Sequence, residues 1–229
     1  CDVCGSELGA LMVPSLMLEG ERGIRSINPR IVRMRDYLLG YVVKMDRDVR
    51  ILVMKHLVVR SGDRVMVREN SVESIVSVLK EREEDREEFE VFLMKCMGCG
   101  RSSLRMMGLS VMKRVIEEGI LVMGMKGVRM RVKELVRDKN VGVRAMAMSM
   151  VGEVKMSGRR MIRILEGGVK DERVQVRKSA LKALRSVPFE MGVARLVESR
   201  TRDKSGMIRQ HAATLLTELM KEHDEVIGL

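Results

Sequence analysis

Among the 229 residues there is no tryptophan, and phenylalanine and tyrosine together bring aromatics to only 2%. The core must therefore be aliphatic. The 22 methionines supply much of it, being unbranched, helix-compatible and able to fill irregular gaps. Prolines number three, so little interrupts a helix. No apolar run reaches the roughly 18–20 residues that a membrane-crossing helix needs. The longest, LGALMVPSLML and GILVMGM, are broken by Pro or Gly. No signal-peptide pattern is visible, and a start at Cys1 rather than Met reads as a fragment of a longer protein. Phosphate-loop and zinc-protease patterns are missing as well. The three histidines (His56, His211 and His223) stand far apart with no nucleophile pattern beside them. These absences point to a chain that is not an enzyme.

What remains is 45% hydrophobic and 33% charged, a balance suited to long solvated helices. The charge is uneven. Residues 1–120 hold 20 Lys/Arg against 19 Asp/Glu, whereas residues 121–229 hold 23 against 13. Such a basic half attracts phosphate backbones or acidic protein segments.

One arrangement recurs: an aspartate, Val-Arg or Ile-Arg ending six residues on, then an alanine three further. It appears as Asp138, Val143, Arg144, Ala147, then as Asp171, Val176, Arg177, Ala180, and finally as Asp203, Ile208, Arg209, Ala212. The aspartates are 33 and 32 residues apart, a period typical of stacked repeats. Each copy reads as a helix, a turn holding the aspartate, and a second helix. In the second copy the first helix spans about 160–165 and stops at Gly167-Gly168, and the second runs from about Val174 to Arg185. In the third, the helices run from about Phe189 to Arg200 and from about Met207 to His223.

Residues 1–119 form a region of divergent helical repeats, and 120–229 the three clear ones. In the first region a helix starts near Pro29. The stretch Met45–Val59 resembles a degenerate repeat around Val49-Arg50, with Asp46 too close to the arginine and Val53 at the alanine position. Asn70 or Ser71 reads as the N-cap of a helix to Glu81 with Val72, Ile75, Val76 and Leu79 on one face. The acidic run 81–90 reads as an exposed face or connecting loop. Ser102–Gly119 is a helix with Leu104, Met107, Val111 and Val115 in a stripe, ended by Gly119 in the left-handed conformation. With no strand-type alternation, the fold class is all-α, with antiparallel helix pairs stacked as an α-α superhelix.

In the repeats the aspartate can accept backbone N–H bonds at the start of the second helix. The arginine can reach an aspartate or carbonyl of a neighbouring repeat. Asp138, Asp171 and Asp203 with Arg144, Arg177 and Arg209 would form a structural ladder, so these arginines are not ligand contacts. The DNA-binding candidates are the other bases: Lys139, Arg159, Arg160, Arg163, Lys170, Arg173, Lys178, Lys182, Arg200, Arg202 and Lys204. Stacking would align several along one ridge, able to follow a phosphate backbone without reading bases.

This Asp, Val-Arg, Ala pattern resembles the HEAT repeat, although the proline frequent in that family's first helix is replaced by Met130, Arg163 and Arg195. KDERVQVRKSALKALRSV and ARLVESRTRDKSGMIRQHAATLLTELM resemble, more closely, the central repeats of the non-SMC HEAT subunits of condensin. Leu196, Arg200, Asp203, Arg209, Ala212, Leu216 and Leu219 carry the second of these matches. The resemblance covers under half the chain. It implies a non-enzymatic subunit that binds the kleisin and SMC subunits of such a complex. It also implies that the subunit helps to hold duplex DNA in mitotic chromosome condensation, in the nucleus. The alternative is a HEAT transport or adaptor scaffold that takes acidic protein segments.

All four cysteines fall in CDVCG (Cys1, Cys4) and CMGCG (Cys96, Cys99). Such pairs resemble zinc knuckles, where four thiolates bind the ion tetrahedrally. The 91 intervening residues argue instead for buried thiols, since VFLMKCMGCG reads as the end of an apolar helix.

Overall fold

A computed structural model describes residues 29–60, 65–154, 156, 158–187 and 191–227. The region before Pro29, with Cys1 and Cys4, lies outside them, as does Phe189. Among the described residues all regular structure is helical. The chain divides into two compact units, Cys1–Gly124 and Met125–Leu229.

The first unit contains α1 (Pro29–Lys44), α2 (Arg47–Arg60), α3 (Val65–Glu81), a 3-10 turn (Glu83–Asp85), α4 (Arg86–Met97) and α5 (Ser102–Glu117). Helix α5 lies along α4 and also against α3, and α2 packs on α3, α4 and α5. Its core is the aliphatic one that the composition demands: Met54, Ile75, Leu93, Met97, Leu109 and Met112, with Phe89 as the sole fully buried aromatic among the described residues. Burying each such side chain contributes about 1.5–3 kcal/mol. Helix α5 ends as its glycine requires. Gly119 sits at φ +70, the Gly119 amide donates to the Ile116 carbonyl and the Ile120 amide to the Val115 carbonyl, a glycine-terminated end that satisfies two orphan acceptors.

Two expectations fail here. Asn70 and Ser71 do not cap a helix, because α3 begins at Val65 and carries both in its interior. Ser71 and Ser74 are fully buried. Packing on several sides decides the boundary, and local capping propensity yields to it. The acidic run is not all exposed either. Asp85 and Glu90 are sealed from solvent, because Arg50 and two backbone amides supply their partners.

The second unit contains α6 (Met125–Leu135), α7 (Val141–Met150), α8 (Gly158–Val169), α9 (Val174–Leu184), α10 (Met191–Glu198) and α11 (Gly206–Ile227). Each repeat is a helix pair: α6 with α7, α8 with α9, α10 with α11. The second helices stack in a row, α9 touching both α7 and α11. The repeat alanines Ala147, Ala180 and Ala212 are fully buried, as close approach of paired helices requires. Val176, Leu181 and Leu184 are buried beside Ala180.

Helix α8 does not stop at Gly167-Gly168 but runs through both to Val169. A Cβ on Gly168 would lie 2.6 Å from Met148 Cε and 2.8 Å from Ala180 Cβ. This glycine is therefore where three helices come closest, not a terminator.

Candidate functional site

The site grows from the turns of the second unit. Each repeat aspartate folds back on its own turn. Asp138 Oδ1 accepts the Asn140 amide at 2.7 Å, Asp171 Oδ1 the Arg173 amide at 2.8 Å, and Asp203 Oδ1 the Ser205 amide at 2.9 Å. Six residues later the arginine turns back to the same loop. Arg144 Nη1 donates to the Asp138 and Lys139 carbonyls, Arg177 Nη1 to those of Asp171 and Glu172, and Arg209 Nη1 to those of Asp203 and Lys204.

In Arg144 and Arg177 other guanidinium nitrogens reach forward. Arg144 Nε donates to Asp171 Oδ2 at 3.1 Å, and Arg177 Nη2 to Asp203 Oδ1 at 2.8 Å. Two arginines thus tie three successive turns edge to edge. Burial pushes the Asp203 carboxyl up, but the Ser205 amide, Arg177 and Arg200 outweigh it and hold it below its ordinary value.

The first unit contains a version that the sequence did not disclose. Arg50 Nε donates to Asp85 Oδ2 at 2.8 Å and Arg50 Nη2 to Glu84 at 2.9 Å, while Nη1 bonds the Met45 carbonyl. The forward partner is thus Asp85, 35 residues on, not the neighbouring Asp46. Arg105 repeats the backward half. Its Nη1 donates to the carbonyls of Cys99 and Gly100, six and five residues earlier. Cys99 stands where the other turns have aspartate, and its Sγ accepts the Arg101 amide at 3.3 Å. Leu104-Arg105 and Gly108 then occupy the Val-Arg and alanine places.

The ladder leaves a basic row. Because Arg144 and Arg177 bind the three turns together, the bases flanking each aspartate sit on adjoining turns: Arg137 and Lys139, Lys170 and Arg173, Arg202 and Lys204. All six are exposed. Arg137 was not among the sequence candidates, although it precedes Asp138 as Lys170 precedes Asp171. Lys170 pairs with Glu166 at 2.8 Å and Arg173 with Glu172 at 3.4 Å. Arg200 is half-buried, donating to the Val169 carbonyl and lying 3.6 Å from Asp203.

The other candidates lie away from that row. Arg159, Arg160 and Arg163 are exposed on α8. Lys178 and Lys182 lie on α9, near His211 of α11. Lys182 borders, with Arg185 and His211, a small hollow of about 80 Å³. Burial first, and then Lys178, Lys182 and Arg185, hold the His211 imidazole below its usual range.

Of the cysteines, Cys1 and Cys4 lie outside the described residues. Cys96 is 5% exposed, and burial, with neighbouring Cys99, pushes its thiol up to about 11. Taking a metal there would require Cys96 to leave the core and lose its proton. Among the described residues no group of three or more His, Cys, Asp or Glu could hold a metal ion.

No family model matches the chain, and no curated protein matches it. Among solved structures it is similar to the crystal structure of Cex1p, with a TM-score of 0.60 and 14% identity over 98% of this chain and 44% of that one. The chain thus spans under half the length of the Cex1p chain. It also matches a designed armadillo repeat protein in complex with the peptide (KR)4, with a TM-score of 0.48 and 13% identity over 91% and 98% of the two chains. A third match is the archaeal HEAT-like repeats protein from Thermococcus onnurineus NA1, with a TM-score of 0.45 and 15% identity over 95% and 92%. In fold the chain is an all-α repeat protein of the HEAT/armadillo kind.

Proposed function

We propose that this chain is a non-enzymatic HEAT-repeat scaffold that holds duplex DNA along the turn row of its second unit. Its place would be within a condensin-type assembly of kleisin and SMC subunits acting on chromosomes in the nucleus. The observation that carries the DNA reading is how the turns use their charge. The aspartates are turned onto backbone amides and, for Asp171 and Asp203, onto ladder arginines. Arg137, Lys139, Lys170, Arg173, Arg202 and Lys204 are left at the surface of adjoining turns. Such a row matches a continuous phosphate backbone and needs no base contacts. The assembly is supported by the condensin-like residues of Val176–Leu184 and Leu196–Leu219.

The test is fluorescence anisotropy with a labelled duplex. Wild-type protein is expected to bind without sequence preference, weakening steeply with salt. Replacing Lys170, Arg173, Arg202 and Lys204 by Glu is expected to abolish binding with the helical circular dichroism unchanged. Undiminished binding by that variant at low salt would overturn the reading. The excess charge would then serve an acidic protein partner, as in an adaptor scaffold.

A further inference from the structure

A second charged feature lies in the first unit, where the overall charge is nearly balanced. The balance is not local. Along α2, Arg47, Arg50 and Lys55 consume Glu84, Asp85 and Glu88: Arg47 lies 3.3 Å from Glu88, Arg50 2.8 Å from Asp85, and Lys55 2.9 Å from Glu88. Those three acids of the run are thereby engaged by the first two-thirds of that helix. Beyond it α2 continues with His56 and Arg60, and Arg101 faces them from the start of α5. Among the described residues none of these three side chains has a hydrogen bond or ion pair.

The three border one groove of about 560 Å³, together with Leu52, Lys55 and Val59. Among the described residues no acidic side chain lines it. Leu52, Lys55, His56, Val59 and Arg60 recur at helical spacing, so a single stripe of α2 forms one wall. Val59 is 46% exposed, an apolar surface set among the charged side chains. Arg101 stands at the N-terminus of α5, where it makes no side-chain cap, so the first amides of that helix add to the positive field.

We propose that this groove docks a short acidic segment of another protein. An apolar side chain of the segment would seat on Leu52 and Val59, and flanking carboxylates would face Arg60, Arg101 and His56. The volume suits a few side chains, and the apolar floor distinguishes the ligand from a bare polyanion. A DNA duplex is too wide to use that floor. A single strand would stack its bases on exposed aromatics, and among the described residues no aromatic side chain lines the groove. The proposal is independent of the DNA reading, which concerns the second unit.

The experiment uses a fluorescein-labelled peptide of repeating Glu-Leu-Asp, the same peptide with serine for leucine, and a labelled duplex. Saturable binding of the leucine peptide is expected, weakened about tenfold or more in Arg60→Glu/Arg101→Glu and also in Val59→Ser. The serine peptide should bind more weakly than the leucine peptide, and duplex affinity should be the same in wild type and in Arg60→Glu/Arg101→Glu. The four-residue turn-row variant (Lys170, Arg173, Arg202 and Lys204 to Glu) should retain peptide binding, which separates failure here from failure of the DNA reading. Equal binding of both peptides, peptide binding lost in the turn-row variant but kept in Arg60→Glu/Arg101→Glu, or duplex binding lost in Arg60→Glu/Arg101→Glu would each overturn the proposal. So would the absence of saturable peptide binding.

Discussion

Arg177 and Asp203 stand 26 positions apart and meet at 2.8 Å, each only 8% exposed. The same guanidinium also holds two carbonyls of its own turn. Arg177→Ala therefore deprives a buried carboxylate of its direct cationic partner and frees two acceptors, and should cost about 2–4 kcal/mol. Arg209 makes only the backward bonds among the described residues, and Arg209→Ala should cost about 1 kcal/mol. Urea unfolding of the two variants checks the difference. Equal costs would mean that the forward bond contributes nothing.

The same pair sets a pH dependence. Asp203 is held below its ordinary value in the folded protein, so its contribution is fully present above the unfolded carboxylate value of about 3.9. It is lost as pH falls below that, through the folded value. Unfolding free energies of wild type and Asp203→Asn should therefore converge as pH is lowered from about 5 to 2. Parallel curves over that range would contradict the assignment.

Glu90 carries the opposite sign. Burial raises its carboxyl, against the Val122 and Met123 amides that it accepts at 2.8 and 2.7 Å. Its ionised form is disfavoured on folding, so this contribution improves as pH falls from the folded value toward the unfolded one near 4.3. Glu90→Ala removes the acceptor for both amides and should cost about 1–3 kcal/mol. Faster hydrogen exchange at Val122 and Met123, relative to the amides of α5, is the specific sign.

Gly168→Ala adds a methyl group where Ala180 Cβ would be 2.8 Å away. Met148 can move its flexible end, but Ala180 cannot. Overpacking should cost about 1–3 kcal/mol. Gly167→Ala, with nothing within 4 Å of the new Cβ, should instead be neutral or stabilising, as alanine favours a helix over glycine. Thermal melts of the two variants distinguish a packing role from a helix-ending one.

For the turn row, each phosphate contact removed should lower the slope of log K against log salt by about 0.9. Single replacements of Lys139, Arg202 or Lys204 by Ala should each do so. Arg200→Ala should leave the slope unchanged and lower stability instead, since its guanidinium is engaged by Val169 and Asp203.

The repeated half was legible because its residues recur at nearly constant spacing. Asp, Val-Arg and Ala mark turn, latch and close approach three times over. The first half hid the same device behind substitutions. Cys99 replaces an aspartate, Gly108 an alanine, and the partner of Arg50 lies in a charge run where buried and exposed acids look alike. Nothing local distinguishes Asp85 from Glu83, which is exposed. Their difference is made by a helix more than thirty residues earlier. Gly168 misled for a related reason: Gly119 ends a helix as expected, whereas Gly168 lets three helices meet, and only the tertiary contacts tell the two apart. The α2 groove was invisible because Arg101 joins its stripe from another element.

Every latch described here closes over a short stretch of chain, 26 to 35 residues between arginine and aspartate. The conformational search for each is thus local, and no latch waits for a distant strand or terminus. On a ribosome, a polypeptide emerging N-terminal end first can fasten each turn as soon as the next helix pair clears the exit. Order of synthesis and order of assembly then coincide.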